Sequence, residues 1–223
     1  MRLGFFGGSF DPPHRAHRLA ALLALHRFDL DRVLLAPTGR QPLKAQGAEA
    51  PFADRLRMVE LLCEGEAGLE ASAIDGPLPG GEPNYTVDTL HRLQASLIGE
   101  NALENGVTAQ TPPSAKPGTN PGSPAEIFAI VGADAFLGMR QWRQPDDLLR
   151  LAEWIVVSRP GFALDPGALQ LTPAQAEKVH LLPGLEEPVS ATELRHRLRG
   201  GQDCEDLIPD PVLQYLQSRR LYR

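Results

Sequence analysis

Two histidines three residues apart follow a pair of glycines near the start of the chain. Gly7 and Gly8 end a short apolar segment, and the absence of side chains there allows a ligand to approach the backbone closely. His14 and His17 follow at a spacing that places both imidazoles on one face of the first turn of a helix. Two imidazoles beside a helix N-terminus form a compact anion site, because they add hydrogen-bond donors to a favourable dipole.

The start of this helix is indicated by Asp11 and the two prolines after it. A short acidic side chain followed by proline predicts that Asp11 caps the helix and that proline occupies its first turn. The common nucleotide loops are absent, since the segment contains neither G-x-G-x-x-G nor G-K-[ST]. The segment therefore predicts an anion site of a different kind.

A second helix start lies at Ser190. Ser190 and Glu193 have the spacing of a capping box. The free backbone N–H groups of this turn, the hydroxyls of Ser190 and Thr192, and the guanidinium of Arg195 one turn later can together hold a phosphate. Capping boxes alone are mostly structural, so this segment indicates a ligand site chiefly in combination with the first.

Alternating strands and helices must position both segments. Short runs that are apolar on both parities predict buried strands at Leu3–Phe6, Val33–Ala36, Leu69–Ile74, Ile127–Val131, Trp154–Ser158 and Val179–Leu182. Amphipathic stretches predict helices at Ala16–Phe28, Asp54–Cys63, Val87–Leu97, Pro145–Leu151, Thr192–Leu198 and Pro211–Arg219. This alternation predicts a single α/β domain over residues 1–223, a Rossmann-like doubly wound parallel sheet that binds ligands beyond the carboxyl ends of its strands.

Residues 99–125 interrupt the alternation. They contain five prolines, four glycines and no aromatic residue. Such a composition cannot bury enough apolar surface to offset the ordering entropy of about 1–2 kcal/mol per backbone residue. We expect a flexible Pro/Gly-rich insertion within the domain, with an interdomain linker as the alternative.

Composition excludes several classes of protein. The chain has 223 residues, of which 42% are hydrophobic, and a net charge of −6, which argues against a nucleic-acid partner. The longest apolar run, Leu19–Leu25, is far shorter than the roughly 18 residues of a membrane span, and no secretory signal is evident. Cys63 and Cys204 cannot form a disulfide framework. We expect a cytoplasmic protein with no membrane partner, and homo-oligomerisation stays open.

Together the two segments resemble the nucleotidyltransferases that carry an H-x-G-H box and an S-x-T-x-x-R box. The best match within that superfamily is the bacterial nicotinate-nucleotide adenylyltransferase family. The likeness extends over nearly the whole chain outside residues 99–125 and includes the segments Pro42–Lys44, Pro83–Leu90 and Gly132–Asp134, and Trp142. In two places the chain departs from the pattern: Ala16 replaces the glycine of the first box, and Leu43 stands where the family often has histidine.

The resemblance implies transfer of the adenylyl group of ATP to nicotinate mononucleotide, giving deamido-NAD and pyrophosphate. It implies four catalytic residues, which are His14, His17, Lys44 and Arg195. The nucleotide-binding residues it implies are Gly7, Gly8, Ser9, Phe10, Gly132, Asp134, Ser190 and Thr192, with Asp134 as the carboxylate that contacts a ribose. Those implied for the nicotinate ring are Tyr85, Thr86 and Trp142. Mg²⁺ is expected to arrive with ATP, with no metal site formed by the protein alone.

Two other functions stay open from the sequence. One is a sister adenylyltransferase whose acceptor is nicotinamide mononucleotide or phosphopantetheine. The other is a nucleotide-binding regulator that has lost catalysis, for which Ala16 is the only indication. Pyrophosphate release from ATP with a panel of acceptors distinguishes all three.

Overall fold

The computed structural model describes residues 1–43, 46–104, 125–158, 165, 169–182 and 190–223. Six strands form one sheet, and every pair of neighbouring strands is parallel. The strands are β1 (Arg2–Gly8), β2 (Arg32–Pro37), β3 (Leu69–Ala71), β4 (Glu126–Gly132), β5 (Glu153–Val157) and β6 (Val179–Leu182). Their order is β3-β2-β1-β4-β5-β6, so the doubly wound parallel sheet expected from the sequence is confirmed.

Eight α-helices connect or follow these strands in the described residues. They are α1 (Arg15–Arg27), α2 (Phe52–Cys63), α3 (Thr86–Glu104), α4 (Ala133–Leu137), α5 (Pro145–Leu151), α6 (Pro173–Ala176), α7 (Ala191–Arg199) and α8 (Asp210–Ser218), with a 3₁₀ turn at Met139–Gln141. No helix in this part of the chain is both long enough and apolar enough to cross a membrane.

The sheet separates two hydrophobic clusters, because successive side chains of a strand point to opposite faces. Leu3 and Phe5 of β1 belong to the cluster that α3 and α5 cover. Phe6, one position later, belongs to the cluster beneath α1, α2 and α8. Both faces of β1 are therefore buried, which explains why its sequence is apolar at odd and even positions alike.

The predicted elements agree with the structure except at their ends and in the shortest segments. β3 ends at Ala71 rather than at residue 74, because the chain turns there and the Gly76 N–H bonds to the Ala73 carbonyl at 2.8 Å. α3 continues to Glu104, so the first six residues of the expected insertion 99–125 are helical. Residues 105–124 lie outside the described residues. α4, α6 and the 3₁₀ turn were missed, since three to five residues are too few to show a helical period.

The strand order also fixes where a ligand can enter. The chain leaves β1 toward β2 on one side, and β4 returns on the other side of β1. Connections on opposite sides of two neighbouring strands open a crevice beyond their carboxyl ends, and doubly wound sheets bind ligands there. The loop after β1 leads into α1, and both predicted histidines lie at the start of that helix. The predicted anion site therefore lies beside this crevice.

Packing beneath β1 explains the glycine at position 4. A methyl group added to Gly4 would lie 2.8 Å from Cγ2 of Val33, its neighbour on β2, and 3.0 Å from Cδ1 of Leu30. We expect Gly4→Ala to lower the free energy of unfolding by about 1–3 kcal/mol, because overpacking forces side chains or backbone to shift. Urea unfolding measures the change. Gly200→Ala is the control, since its methyl would meet nothing closer than 3.5 Å; unfolding midpoints that are the same for both variants would contradict this packing.

Candidate active site

The two histidines lie together at the start of α1. His14 occupies the N-cap position, with extended backbone angles of −146° and 172°, and His17 lies in the first turn. Their ring centroids are 3.8 Å apart. His17 also packs against Phe10, with 4.9 Å between the ring centroids. The pairing expected from the i, i+3 spacing is therefore present.

Both imidazoles are neutral in the free protein. Burial lowers the pKa of His14 to about 4. Burial lowers the pKa of His17 well below its ordinary value, and the neighbouring His14 lowers it further. The backbone N–H of His14 donates to Nδ1 of His17 at 3.3 Å, so the remaining proton of His17 belongs on Nε2. Nδ1 of His14 is buried and has no hydrogen-bond partner among the described residues.

Asp11 does not cap α1, contrary to the expectation from the sequence. Its carboxylate is buried and accepts hydrogen bonds from the backbone N–H groups of Glu49 (2.7 Å) and Ala50 (3.0 Å). The Tyr222 hydroxyl donates a third, at 2.7 Å. With His14 at the N-cap, the first N–H of the helix, that of Arg15, bonds to the Leu207 carbonyl instead.

Residues 9–14 connect β1 to α1, and we call them the histidine loop. A buried arginine of α2 holds the start of this loop. Arg55 is 2% exposed, and its guanidinium donates to the carbonyls of Ser9 (2.7 Å), Ala50 (3.1 Å) and Gly39 (3.4 Å). Burial lowers the pKa of Arg55, whereas nearby Asp11 raises it. Because the two side chains lie in the same buried region, Arg55 offsets the cost of burying the Asp11 charge.

The second predicted segment reaches the histidine loop through Arg195. Its Nη1 donates to the Asp11 carbonyl at 2.7 Å, and its Nη2 donates to Oγ1 of Thr192 at 3.3 Å. Ser190 caps α7 by accepting from the Glu193 N–H at 3.1 Å. The reciprocal half of the predicted capping box is not made, because the Glu193 carboxylate pairs with Arg197 at 2.9 Å. The two segments therefore meet at Asp11.

A cavity of about 700 Å³ opens beyond β1 and β4. Eight of the predicted site residues line it, namely Gly7, Gly8, Ser9, Tyr85, Thr86, Gly132, Asp134 and Trp142. The other described ones, His14, His17, Phe10, Arg195, Ser190 and Thr192, are not among its lining residues. Phe10 and His14 belong to the histidine loop, His17 lies in the first turn of α1, and the other three lie at the N-cap of α7 or within that helix. The site consists of this cavity and the neighbouring histidine loop, which begins at the cavity wall with Ser9.

Glycine at the cavity floor serves packing as well as access. A methyl group on Gly7 would lie 3.0 Å from Cζ of Phe5, and one on Gly8 would lie 3.3 Å from Cε2 of Phe10. Phe10 is buried beneath His17 rather than exposed to the cavity. Its ring therefore supports the imidazole, and a nucleotide contact by Phe10 stays a prediction from the sequence.

The start of α3 is fixed beside the cavity by buried polar side chains. The Asn84 amide accepts from the Arg40 N–H at 2.9 Å and donates to the Gly76 carbonyl at 2.8 Å. Asp75 accepts from the Thr89 hydroxyl at 2.6 Å, and burial raises the pKa of its carboxyl group. These contacts hold Thr86 at the first position of the helix, where backbone N–H groups have no intrahelical partner.

Aromatic side chains line part of the cavity. Trp142 lies against Trp154, with 6.1 Å between the ring centroids, and Trp154 is buried in the core. The Arg143 guanidinium lies 4.8 Å from the ring centroid of Tyr85 and pairs with Asp88 at 3.5 Å. Arg143 is the only lysine or arginine among the described lining residues.

Several of these residues were missed by sequence reasoning. Arg55 has a signal in the sequence, because it lies at helical spacing with Met58, Val59 and Leu62, where an apolar residue is expected. Arg143 and Tyr222 carry no comparable local signal. Lys44, predicted as catalytic, lies outside the described residues, although its neighbours Pro42 and Leu43 line the cavity. No group of three or more His, Cys, Asp or Glu side chains that could hold a metal occurs in the part of the chain that is described.

Known proteins share this sequence and fold. The model of the cytidylyltransferase-like family matches residues 5–197. A protein of Solibacter usitatus named probable nicotinate-nucleotide adenylyltransferase is 36% identical over 222 residues, which cover 100% of both chains. One of the same name from Roseiflexus sp. is 35% identical and covers 99% of this chain and 98% of its own.

Solved structures show the same fold at lower identity. Plasmodium falciparum nicotinic acid mononucleotide adenylyltransferase complexed with NaAD has a TM-score of 0.68 at 16% identity, covering 99% of this chain and 97% of that one. The same Plasmodium protein complexed with APC has a TM-score of 0.66, also at 16% identity, covering 99% and 96%.

The chain belongs to the cytidylyltransferase-like family, and it is a nucleotidyltransferase with a Rossmann-like fold. Within that class it belongs to the nicotinate-nucleotide adenylyltransferases, as the sequence resemblance indicated.

The lowered pKa of His14 makes stability depend on pH in a defined window. Between pH 6.5 and about 4, His14 binds a proton in the unfolded chain, whereas its buried imidazole in the folded protein stays unprotonated. The free energy of unfolding therefore falls as the pH drops through this window, by up to about 1.4 kcal/mol per pH unit for one histidine. Urea unfolding at several pH values measures the slope.

Two variants isolate the contribution of His14. We expect His14→Gln to give a shallower slope than the unmodified protein, because the group that titrates is gone. His26→Gln, at an exposed position on the same helix, should keep the original slope. If His14→Gln and the unmodified protein have equal slopes, burial of this imidazole does not control its protonation.

Proposed function

We propose that the chain transfers the adenylyl group of ATP to nicotinate mononucleotide, releasing pyrophosphate and forming deamido-NAD, a step of NAD biosynthesis. One observation carries this proposal. The histidine loop and the 700 Å³ cavity lie side by side at the carboxyl ends of β1 and β4, so that the proposed phosphate site adjoins a cavity large enough for a nucleotide. Family membership supports the same reaction.

The reaction is a displacement at the α-phosphorus of ATP. An oxygen of the acceptor's 5′-phosphate forms a bond to that phosphorus while the bond to the bridging oxygen breaks, and pyrophosphate leaves with the electron pair. No covalent bond to the protein is needed. The residues act by aligning two anionic reactants and by stabilising charge in the transition state.

His14, His17 and Arg195 are proposed to contact the phosphates of ATP. With its Nδ1 accepting from the backbone, His17 presents an Nε2–H donor, and the unpartnered Nδ1 of His14 can bond to a ligand. An approaching polyphosphate favours the protonated form of His14, since a nearby negative charge raises the pKa of a histidine and Nδ1 of His14 can take up a proton without losing a hydrogen bond. Ser190 and Thr192 at the start of α7, the backbone at Gly7, Gly8 and Ser9, and Lys44 complete the proposed phosphate and nucleotide contacts.

The cavity is proposed to hold the acceptor ring and the adjoining ribose. Backbone N–H groups at Thr86 would donate to the nicotinate carboxylate, with Tyr85 beside it, and the indole of Trp142 would stack on the ring. Asp134, on the cavity wall, would accept hydrogen bonds from a ribose. Gly132 precedes it and leaves open space, since nothing lies within 4 Å of a methyl group built there.

Nucleotidyltransferases of this family generally use a divalent metal with ATP, and we propose Mg²⁺. The donor set fits an ion that arrives on the triphosphate. Both imidazoles are neutral in the free protein, which leaves much of the phosphate charge to Arg195 and to a cation brought with the substrate. When bound, the ion would supply positive charge to the phosphate oxygens. A cytoplasmic setting stays a prediction from the sequence, as does the absence of a nucleic-acid partner.

The role proposed for His17 has a direct test. Removing a preorganised donor that acts in the transition state lowers kcat by about 10²–10³. We expect this loss in His17→Ala, with a far smaller effect on ATP affinity, in assays of pyrophosphate release. His26→Ala, an exposed histidine later on α1, is the matched control and should keep normal turnover. Near-normal turnover of folded His17→Ala would remove this residue from the mechanism.

The choice of acceptor tests the nicotinate site. A carboxylate accepts at both oxygens, whereas an amide replaces one acceptor by an NH₂ donor that would face the N–H groups at Thr86. Each unpaired buried group costs about 1–3 kcal/mol, so two mismatches predict a kcat/KM for nicotinate mononucleotide that is higher than for nicotinamide mononucleotide by on the order of 10²-fold. Pyrophosphate release with these two acceptors and phosphopantetheine measures the preference.

The variant Arg143→Gln tests whether the nicotinate carboxylate is recognised by the backbone N–H groups at Thr86 or by the charge of Arg143. If the N–H groups at Thr86 select the carboxylate, this variant still prefers nicotinate mononucleotide, because the half-exposed guanidinium contributes only a screened attraction. Equal kcat/KM for the two pyridine nucleotides in the unmodified protein would contradict the donor argument. The proposed function would be overturned if pyrophosphate were released only with phosphopantetheine, or if none of the three acceptors gave pyrophosphate.

A further inference from the structure

Tyr222, near the end of the chain, reaches the histidine loop. Its hydroxyl donates to Oδ1 of Asp11 at 2.7 Å, and both residues are 4% exposed. The backbone that brings it there is unusual, since Arg220 and Tyr222 have φ angles of 55° and 59°. Residues other than glycine rarely adopt such angles, and they persist only where surrounding contacts enforce them. The hydrogen bond to Asp11 is one such contact.

The carboxylate that Tyr222 contacts also lies close to Arg195. The shortest distance between the two charged groups is 3.8 Å, from Nη1 to Oδ2 of Asp11. That same Nη1 donates to the Asp11 backbone carbonyl at 2.7 Å. Oδ1 of Asp11 is held by the Ala50 N–H and the Tyr222 hydroxyl, and Oδ2 is held by the Glu49 N–H. Three donors thus keep the carboxylate from turning toward the guanidinium.

We propose that Tyr222 is a positioning residue that keeps Arg195 available to the phosphates of ATP. The inference rests on the proposed function of the site. Without the hydroxyl, Oδ1 of Asp11 loses one of its two donors and the carboxylate turns toward the nearest cation. Arg195, whose Nε already lies 3.4 Å from Oε2 of Glu49, then has a second carboxylate close to its guanidinium and binds phosphate more weakly. The histidine loop, which Asp11 anchors to residues 49 and 50, loses a fixed point at the same time.

Tyr215 offers a matched control. Its hydroxyl donates to Oδ1 of Asp54 at 2.8 Å, and Asp54 is buried like Asp11. That bond joins α8 to α2, and Asp54 makes no described hydrogen bond to the histidine loop. Tyr215→Phe and Tyr222→Phe therefore each remove one Tyr–Asp hydrogen bond, and only the second touches the proposed phosphate site.

The test is calorimetric titration of ATP into the unmodified protein, Tyr222→Phe and Tyr215→Phe. We expect Tyr222→Phe to raise the Kd for ATP about tenfold, the change expected for one charged hydrogen bond. Tyr215→Phe should leave it within about twofold. Partial unfolding lowers the binding stoichiometry and leaves the Kd of the folded molecules unchanged, so a merely structural role of Tyr222 has a different signature.

Turnover gives the second measurement. In pyrophosphate release, Tyr222→Phe should raise the KM for ATP and leave the KM for nicotinate mononucleotide within about twofold. Equal ATP Kd values for the two variants, or a loss confined to stoichiometry, would overturn the positioning role. If the unmodified protein binds ATP but releases no pyrophosphate with nicotinate mononucleotide, the proposed function fails. The titration still decides the role of Tyr222 in that case.

Discussion

The buried carboxylate of Asp11 is the interaction on which the rest of the site depends. It accepts two backbone N–H groups from residues 49 and 50 and the Tyr222 hydroxyl, and its own carbonyl accepts from Arg195. A charge buried this deeply is stable only when it is fully hydrogen-bonded and lies near a cation. Arg55 and Arg195 supply the cationic partners. One residue of the loop after β1 therefore contacts the chain before α2, helix α7 and the segment after α8.

The electrostatic design of the site follows from burial. A preformed pair of charged imidazoles would repel each other and would cost stability in the free protein. The structure keeps His14 and His17 neutral, with one hydrogen bond that orients His17 and one buried nitrogen on His14 without a described partner. Under the proposed function, a bound phosphate would favour the protonated form of His14, so no repulsion between two charged imidazoles destabilises the site before its ligand binds.

Local patterns in the sequence were sufficient for the sheet, the histidine pair and the cap at Ser190, because each depends on residues within one turn or one strand. The role of Asp11 could not be predicted in this way. Its position before two prolines is typical of a helix cap, but its actual partners lie 38 to 211 residues away. Arg143 is a similar case, since its contact with Tyr85 joins two segments that become neighbours only in the folded protein.

The substitution Asp11→Asn tests the central claim most directly. It keeps the size of the side chain, removes its charge beside Arg55 and sets an NH₂ donor against one of the three donors that the carboxylate accepts. ATP affinity and the rate of pyrophosphate release should be measured at a temperature where circular dichroism shows the variant folded. We predict that kcat/KM for ATP falls by about 10²-fold or more, as expected when a buried donor is left unpaired and the reactants are misplaced. A folded Asp11→Asn variant with unchanged ATP affinity and turnover would show that the histidine loop does not depend on this carboxylate.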